Sequence, residues 1–216
     1  MNSAKKSNDE PEYWEEFYSK QAPQFSPENP SQFSVFCLNE LDVFGIKTVV
    51  DLACRNGRDS LFFLQRNMKV YSIDQSKQAI LKTESICKNF SKSSAQCIDL
   101  RRDFSNQITG NFTDRIALYA RFFIHALTNS EIEEFLKNCS NFMKHEDILF
   151  LEYRNKEDEE RQKETKPHYR NFVDPNFLRA TGADLSLQIK YEVSGFGFAK
   201  HGNDDACVTR QIFEKL

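Results

Sequence analysis

Hydrophobic positions recur along this chain with two periods, and the changes of period mark out its elements. Tyr13, Trp14, Phe17 and Tyr18 recur at helical spacing and predict a short amphipathic helix. Pro23, Pro27 and Pro30 then interrupt the chain, and Ser31 is placed to cap a helix over Phe33, Phe36, Cys37, Leu38 and Leu41. From Ile46 onward, short β-branched runs alternate with helical patterns. They predict strands over 47–52, 69–73, 95–99, 115–121 and 147–153, and helices over 58–67, 76–89 and 129–144 with a short one near 175–181. Strands separated by helices require right-handed crossovers, so the pattern predicts an α/β protein with a parallel sheet. The last third changes character. Leu185, Leu187, Ile189, Tyr191 and Val193 alternate with Ser186, Gln188, Lys190 and Glu192, the period of a strand with one wet face, and residues 206–213 predict another strand.

Length and composition narrow this picture. The 216 residues suit one domain over 11–216, with the polar residues 1–10 expected to be disordered. A net charge of −3 without a basic stripe argues against a nucleic-acid partner. The six cysteines, at 37, 54, 87, 97, 139 and 207, form no CxxC pair and no zinc-like Cys/His cluster, so they read as reduced thiols of a cytoplasmic protein without a metal. No apolar run reaches membrane-spanning length, and the polar start is unlike a signal peptide. Most of the twenty phenylalanines are expected in the core.

The candidate chemistry sits at strand ends. Thr48-Val49-Val50-Asp51-Leu52 runs through Ala53-Cys54-Arg55-Asn56-Gly57 into Arg58-Asp59-Ser60-Leu61, which is a strand, a ligand-sized turn and a helix start. Such a turn presents unpaired N–H groups and the positive end of a helix dipole, suited to a carboxylate. The second strand also ends in an acid, Asp74, 23 positions beyond Asp51. That is close to the roughly 20-residue offset at which a carboxylate meets a ribose diol. Asp99 follows the third strand.

These residues resemble the cofactor-binding start of class I S-adenosylmethionine-dependent methyltransferases. The Asn56-Gly57-Arg58-Asp59-Ser60 loop, Tyr13-Trp14…Phe17-Tyr18 and Pro30-Ser31-Gln32-Phe33 are similar to a subset that acts on small molecules and includes relatives of the tellurite-resistance enzymes. The resemblance implies a Rossmann-like fold, largely parallel with helices on both faces and a C-terminal antiparallel hairpin. It implies S-adenosylmethionine as cofactor, held by Asp51, Ala53, Cys54, Arg55, Gly57 and Arg58, by Asp74 with Gln75, by Asp99 with Leu100, and by Tyr13. Residues 11–45 would form an N-terminal helical lid, although helix packing alone also accounts for Tyr13, Trp14 and Tyr18. The family shows three alternating glycines where this chain has Ala53, Arg55 and Gly57. Arg55 is compatible with the site if its backbone stays at φ < 0 and its side chain turns to solvent or to the bound carboxylate; the equal alternative is that it blocks the pocket.

On the acceptor side the fourth strand runs into Arg121-Phe122-Phe123-Ile124-His125, beside the expected methyl group. His125 could take the acceptor's proton and Arg121 could clamp an anion. A packing histidine and an ion pair with a sheet-end acid are the plainer alternatives. Residues 154–183 would form an acceptor-side insertion, in which His168, Tyr169 and Arg170 suit an oxygen-rich or anionic small molecule. The expected state is a monomer or homodimer. Two rivals remain: a nicotinamide dehydrogenase, against which the missing G-x-G-x-x-G and Tyr-x-x-x-Lys patterns weigh, and a degenerate methyltransferase-fold protein that binds a ligand or partner without catalysis.

Overall fold

The computed structural model describes residues 11–20, 29–160 and 169–216; residues 1–10, Pro23, Pro27, Pro167 and His168 lie outside the described residues. Two helices come first, α1 (Pro11–Lys20) and α2 (Gln32–Phe44). Ser31 caps α2 as expected, its Oγ accepting from the Ser34 amide, and Gly45 ends it with φ 69. The alternating part follows as β1 (Thr48–Leu52), α3 (Arg58–Gln65), β2 (Lys69–Asp74), α4 (Lys77–Cys87), β3 (Ser93–Cys97), β4 (Ile116–Arg121), α5 (Asn129–Phe142), β5 (Ile148–Arg154) and α6 (Pro175–Asp184). β6 (Leu187–Gly195), a short pair β7 (Lys200–His201) and β8 (Asp204–Asp205), and β9 (Val208–Lys215) complete the chain.

Seven strands form one sheet in the order β3-β2-β1-β4-β5-β9-β6. The first five are parallel, and β9 and β6 add an antiparallel hairpin at one edge. The direction of strand addition reverses between β1 and β4. Ligands of open α/β sheets bind beyond the carboxyl ends of the strands at such a switch point.

Alternation along each central strand feeds two cores. Val50, Leu52, Leu118, Ala120, Leu149 and Leu151 face one side, where α5 contributes Phe135 and Leu136. Val49, Ala117, Tyr119, Ile148 and Phe150 face the other, against Phe33 and Leu41 of α2 and Leu61–Leu64 of α3. The near-continuous apolar runs of β1, β4 and β5 follow from burial on both faces. Among the described residues, no helix is long and apolar enough to cross a membrane.

Boundaries depart from expectation in two instructive places. α3 stops at Gln65 rather than 67, because Asn67 turns left-handed at φ 63. β3 spans Ser93–Cys97 rather than 95–99; Ile98 is buried among Leu100 and Phe104, so its apolar character reflects the core beyond the strand. Asp99 therefore lies two residues past the strand end.

Candidate active site

The β1–α3 loop crosses the switch point in a strained conformation. Ala53, Arg55 and Gly57 all adopt left-handed backbone, with φ of 61, 60 and 76. Arg55 does not meet the φ < 0 condition under which it would be harmless: its position demands a turn that glycine makes freely and an arginine makes at a cost of about 1–2 kcal/mol. Gly57 also meets a spatial demand, since a Cβ there would lie 2.7 Å from Thr83 Oγ1 and 2.9 Å from its Cα. Thr83 belongs to α4, and its packing onto the loop is what glycine permits. Cys54 turns inward, its Sγ 3.7 Å from Thr83 Oγ1.

Beneath the loop, Asp51 is buried and accepts a 2.6 Å bond from Ser60 Oγ, which itself accepts from Ser72 Oγ at 2.8 Å. Burial pushes the Asp51 carboxyl up to about 7, against the pull of Ser60. Asp59 is the opposite case. Burial raises it, but Arg58 and Arg121 and the bonds from the Ser31 amide and Tyr119 hydroxyl outweigh burial and hold it below the usual range. Asp59 ties the α2 cap to β4 and α3; Asp51 supports the loop.

Asp74 closes β2. Its Oδ2 accepts from the Arg55 amide and its Oδ1 from the Ser76 amide, each at 2.9 Å. Burial lifts its carboxyl to about 6 despite both bonds. Beside it, Gln75 Oε1 is buried with no hydrogen-bond partner among the described residues. A buried acceptor left unmet costs about 1–3 kcal/mol, so it marks a place where a ligand is expected. Asp99 is held by Arg101, whose amide and Nε lie 3.0 Å from Oδ1. Those bonds outweigh burial and lower its pKa. Leu100 packs its side chain into the core.

α1 stands over this half. Glu15 Oε2 accepts from Ser76 Oγ at 2.7 Å and from the Gln78 amide at 3.3 Å, at the start of α4. Tyr18 is buried, and burial pushes its hydroxyl well above its ordinary pKa, with the Arg55 charge opposing the rise and the Asp74 charge adding to it. The side chain of Tyr13 lies outside the described residues.

Across the switch point the charged groups form a register row. Arg121, Glu152 and Arg210 are neighbours on β4, β5 and β9. Glu152, fully buried, accepts from Arg121 Nε and Arg210 Nε, each at 2.8 Å. Arg154 lies 2.6 Å from both Asp158 and Asp204. Phe122 leaves β4 with φ 54, a marked outlier for a bulky residue, and its ring lies under Arg121 at 4.3 Å and near Arg154 at 5.8 Å. His125 is buried, its Nδ1 3.4 Å from the Arg154 amide. Its carbonyl accepts from the Asn171 amide at 2.7 Å, while Asn171 Nδ2 reaches Leu127 O at 2.9 Å. The two acceptor-side stretches, far apart in sequence, are thus joined: Asn171 straps Tyr169 and Arg170 onto the turn that carries His125. Glu15, Phe122 and Glu152 were missed by sequence reasoning. Glu152 alone had a signal, as an acid near the carboxyl end of an otherwise apolar strand.

No protein-family model matches the sequence, and no curated protein matches it. Solved structures do resemble it. A SAM-dependent methyltransferase from Anabaena variabilis has a TM-score of 0.72 at 15% identity, over 100% of this chain and 99% of that one. Magnesium protoporphyrin IX methyltransferase from Synechocystis, with bound SAM, has a TM-score of 0.64 at 13% identity, over 86% of this chain and 79% of that one. TehB from Haemophilus influenzae has a TM-score of 0.65 at 15% identity, over 95% of this chain and 66% of that one. The chain therefore has the fold of SAM-dependent methyltransferases.

Proposed function

We propose that this protein transfers a methyl group from S-adenosylmethionine to a small, oxygen-rich or anionic acceptor. The loop backbone carries the reading. Left-handed turns at 53, 55 and 57 recur where the resembled family has glycines, and two persist here without glycine. Strain kept at a strand–helix turn on the switch point argues for a site. The unmet Gln75 Oε1 beside Asp74 fits a nucleoside, which brings hydrogen-bond donors.

S-adenosylmethionine would supply an electrophilic methyl group that needs only an aligned nucleophile. The protein's part is to bind and orient. Asp74 spends one bond on each oxygen and keeps acceptor capacity for a ribose diol. The loop and the first turn of α3 offer N–H groups to a carboxylate, with Arg55 and Arg58 beside them. Asp51 supports that loop from below, and Gln75 faces the base.

On the acceptor side, Arg121, His125, Tyr169 and Arg170 line the approach. The Arg154 amide donates to His125 Nδ1, which in a neutral imidazole leaves the ring proton on Nε2. An ionised acceptor needs no base. Holding it in line can supply about 7–11 kcal/mol of the barrier.

Calorimetric titration with S-adenosylmethionine tests the reading: binding is expected, and its absence removes the proposal. Transfer of labelled methyl to a panel of small oxyacids then tests the acceptor class. One observation favours a second reading, a ligand-binding protein without catalysis: a bulky Arg55 stands at φ 60 in the loop where the resembled family has glycine. Tight binding with no transfer to any acceptor would select it.

A further inference from the structure

Residues 196–206 fold back between β6 and β9 and carry the short β7–β8 pair. Gly197, at φ 80, makes the turn out of β6. The hairpin is then fastened at three places. Asp204 pairs with Arg154 of β5 at 2.6 Å, and Arg210 of β9 donates from Nη2 to Phe198 O at 2.8 Å. Gln32, at the start of α2, donates from Nε2 to Gly197 O at 3.3 Å and accepts from the Lys200 amide at 3.2 Å. Its apolar side packs Phe198, Ala199 and Ala206, with Val208, against Phe122, the residue that follows β4. The hairpin therefore reaches from the β9 side of the sheet, past β5, to the carboxyl end of β4 and to α2. That is the acceptor half of the site.

Two observations bear on what this wall recognises. The charges around it are balanced: Arg121, Arg154 and Arg210 pair with Glu152, Asp158 and Asp204. A small free oxyanion gains an arginine there only by displacing a buried carboxylate. What the hairpin leaves partly uncovered is aromatic, since Phe122 and Phe198 are half-buried and Phe196 is 44% exposed. Phe122 holds its ring there from a backbone at φ 54, and strain of that kind concentrates at functional sites. We propose that the β7–β8 hairpin is the acceptor-side wall, and that Phe122 and Phe198 select an aromatic carboxylic acid over a small oxyanion. This rests on the methyl-transfer reading above and names the acceptor class for it. A flat ring stacks on phenylalanine faces or edges and buries a large apolar area, which a small oxyanion cannot do. Transfer to such an acceptor balances without a base: a carboxylate oxygen forms the new C–O bond as the C–S bond breaks, the electron pair stays on sulfur, and no proton moves.

A matched pair of acids isolates the ring. Benzoate and acetate carry the same carboxylate, so their difference in affinity for protein saturated with S-adenosylhomocysteine reads the apolar contact. Ligand-observed NMR measures it without turnover. Benzoate is expected to bind about tenfold more tightly, which corresponds to roughly 1.4 kcal/mol. Phe198→Ala should remove most of that preference and leave the affinities for acetate and S-adenosylhomocysteine as they were. Phe122→Leu keeps an apolar side chain against Ala199 and Val208, leaves the hairpin sequence intact, and should remove part of the preference. Equal affinities for the two acids, binding of neither, or an unchanged preference in both variants overturns the assignment, while binding of S-adenosylhomocysteine keeps the cofactor reading. If the wild-type protein binds no S-adenosylhomocysteine, both fall.

Discussion

The two halves of the strand-end face use charge in opposite ways. On the β1–β2 side, Asp51 and Asp74 are buried with hydroxyl and amide donors on their carboxylates, both sit above the usual carboxylate range, and Gln75 Oε1 is unmet among the described residues. On the β4–β5–β9 side, Arg121, Arg154 and Arg210 are each bound to a buried acid. The unmet acceptor of the first half suits the polar ligand proposed for it. The second is internally wired. Under the proposed function an anionic acceptor would have to compete with Glu152, Asp158 and Asp204 for these arginines, because each already holds a buried acid.

The largest test of that contrast is to cut the wired half. Glu152→Gln leaves Arg121 and Arg210 as buried cations without their shared anion. Removing one member of such a network costs about 3–5 kcal/mol. The expected outcome in urea denaturation is a loss of that order, with the midpoint falling and the slope unchanged. A loss below about 1 kcal/mol would show that the row is solvated in solution and that the acceptor half is as open as the cofactor half.

A second test uses pH. In the folded protein the Asp51 carboxyl sits at about 7 and that of Asp74 at about 6, both raised chiefly by burial. Protonated forms are therefore favoured by folding, and their contribution is full below the unfolded value of about 4. It is lost as pH rises through about 6 and then about 7. The ligand-free protein should lose thermal stability across that window, and Asp51→Asn should flatten the upper part of the loss, since an amide oxygen still accepts from Ser60. Cofactor affinity should move the other way, rising with pH through about 6 as Asp74 ionises. Parallel trends in stability and affinity would mean that Asp74 does not meet the ligand.

Asp74→Ala gives a smaller and more local effect. It should weaken S-adenosylmethionine binding by about 1.5–3 kcal/mol, the range for a bond to a charged group. Isothermal titration at pH 8 reads it, and an unchanged affinity would place the ribose elsewhere.

The contrast also explains what the sequence could reveal. Period and turn residues located every strand of the large sheet, because burial on both faces of β1, β4 and β5 leaves long apolar runs. They missed β7 and β8, since two-residue strands have no period. The end of β3 slipped because Ile98 belongs to the core and not to the strand. Asp51, Asp74 and Gly57 were legible because each stands beside the local feature that gives it meaning. The Arg121–Glu152–Arg210 row was not: only register brings those positions together across three strands. The backbone of Arg55 was illegible for a different reason. A residue's identity does not disclose a positive φ that its neighbours impose, and arginine points away from one.

That last point yields the smallest prediction. Ala53 shares the left-handed conformation, at φ 61, and carries only a methyl group. Ala53→Gly should relieve about 1–2 kcal/mol of backbone strain while adding about 0.5–1 kcal/mol of chain entropy lost on folding. The net expectation is a gain of about 0.5 kcal/mol, set by those opposing terms and read as a small upward shift in the urea midpoint. Cofactor affinity should be unchanged, since the loop keeps its shape. If stability falls instead, the Ala53 methyl contributes more by packing on the core than its backbone loses to strain. The loop would then be held by its side chains, and the incomplete half of the site would be no more preorganised than the wired one.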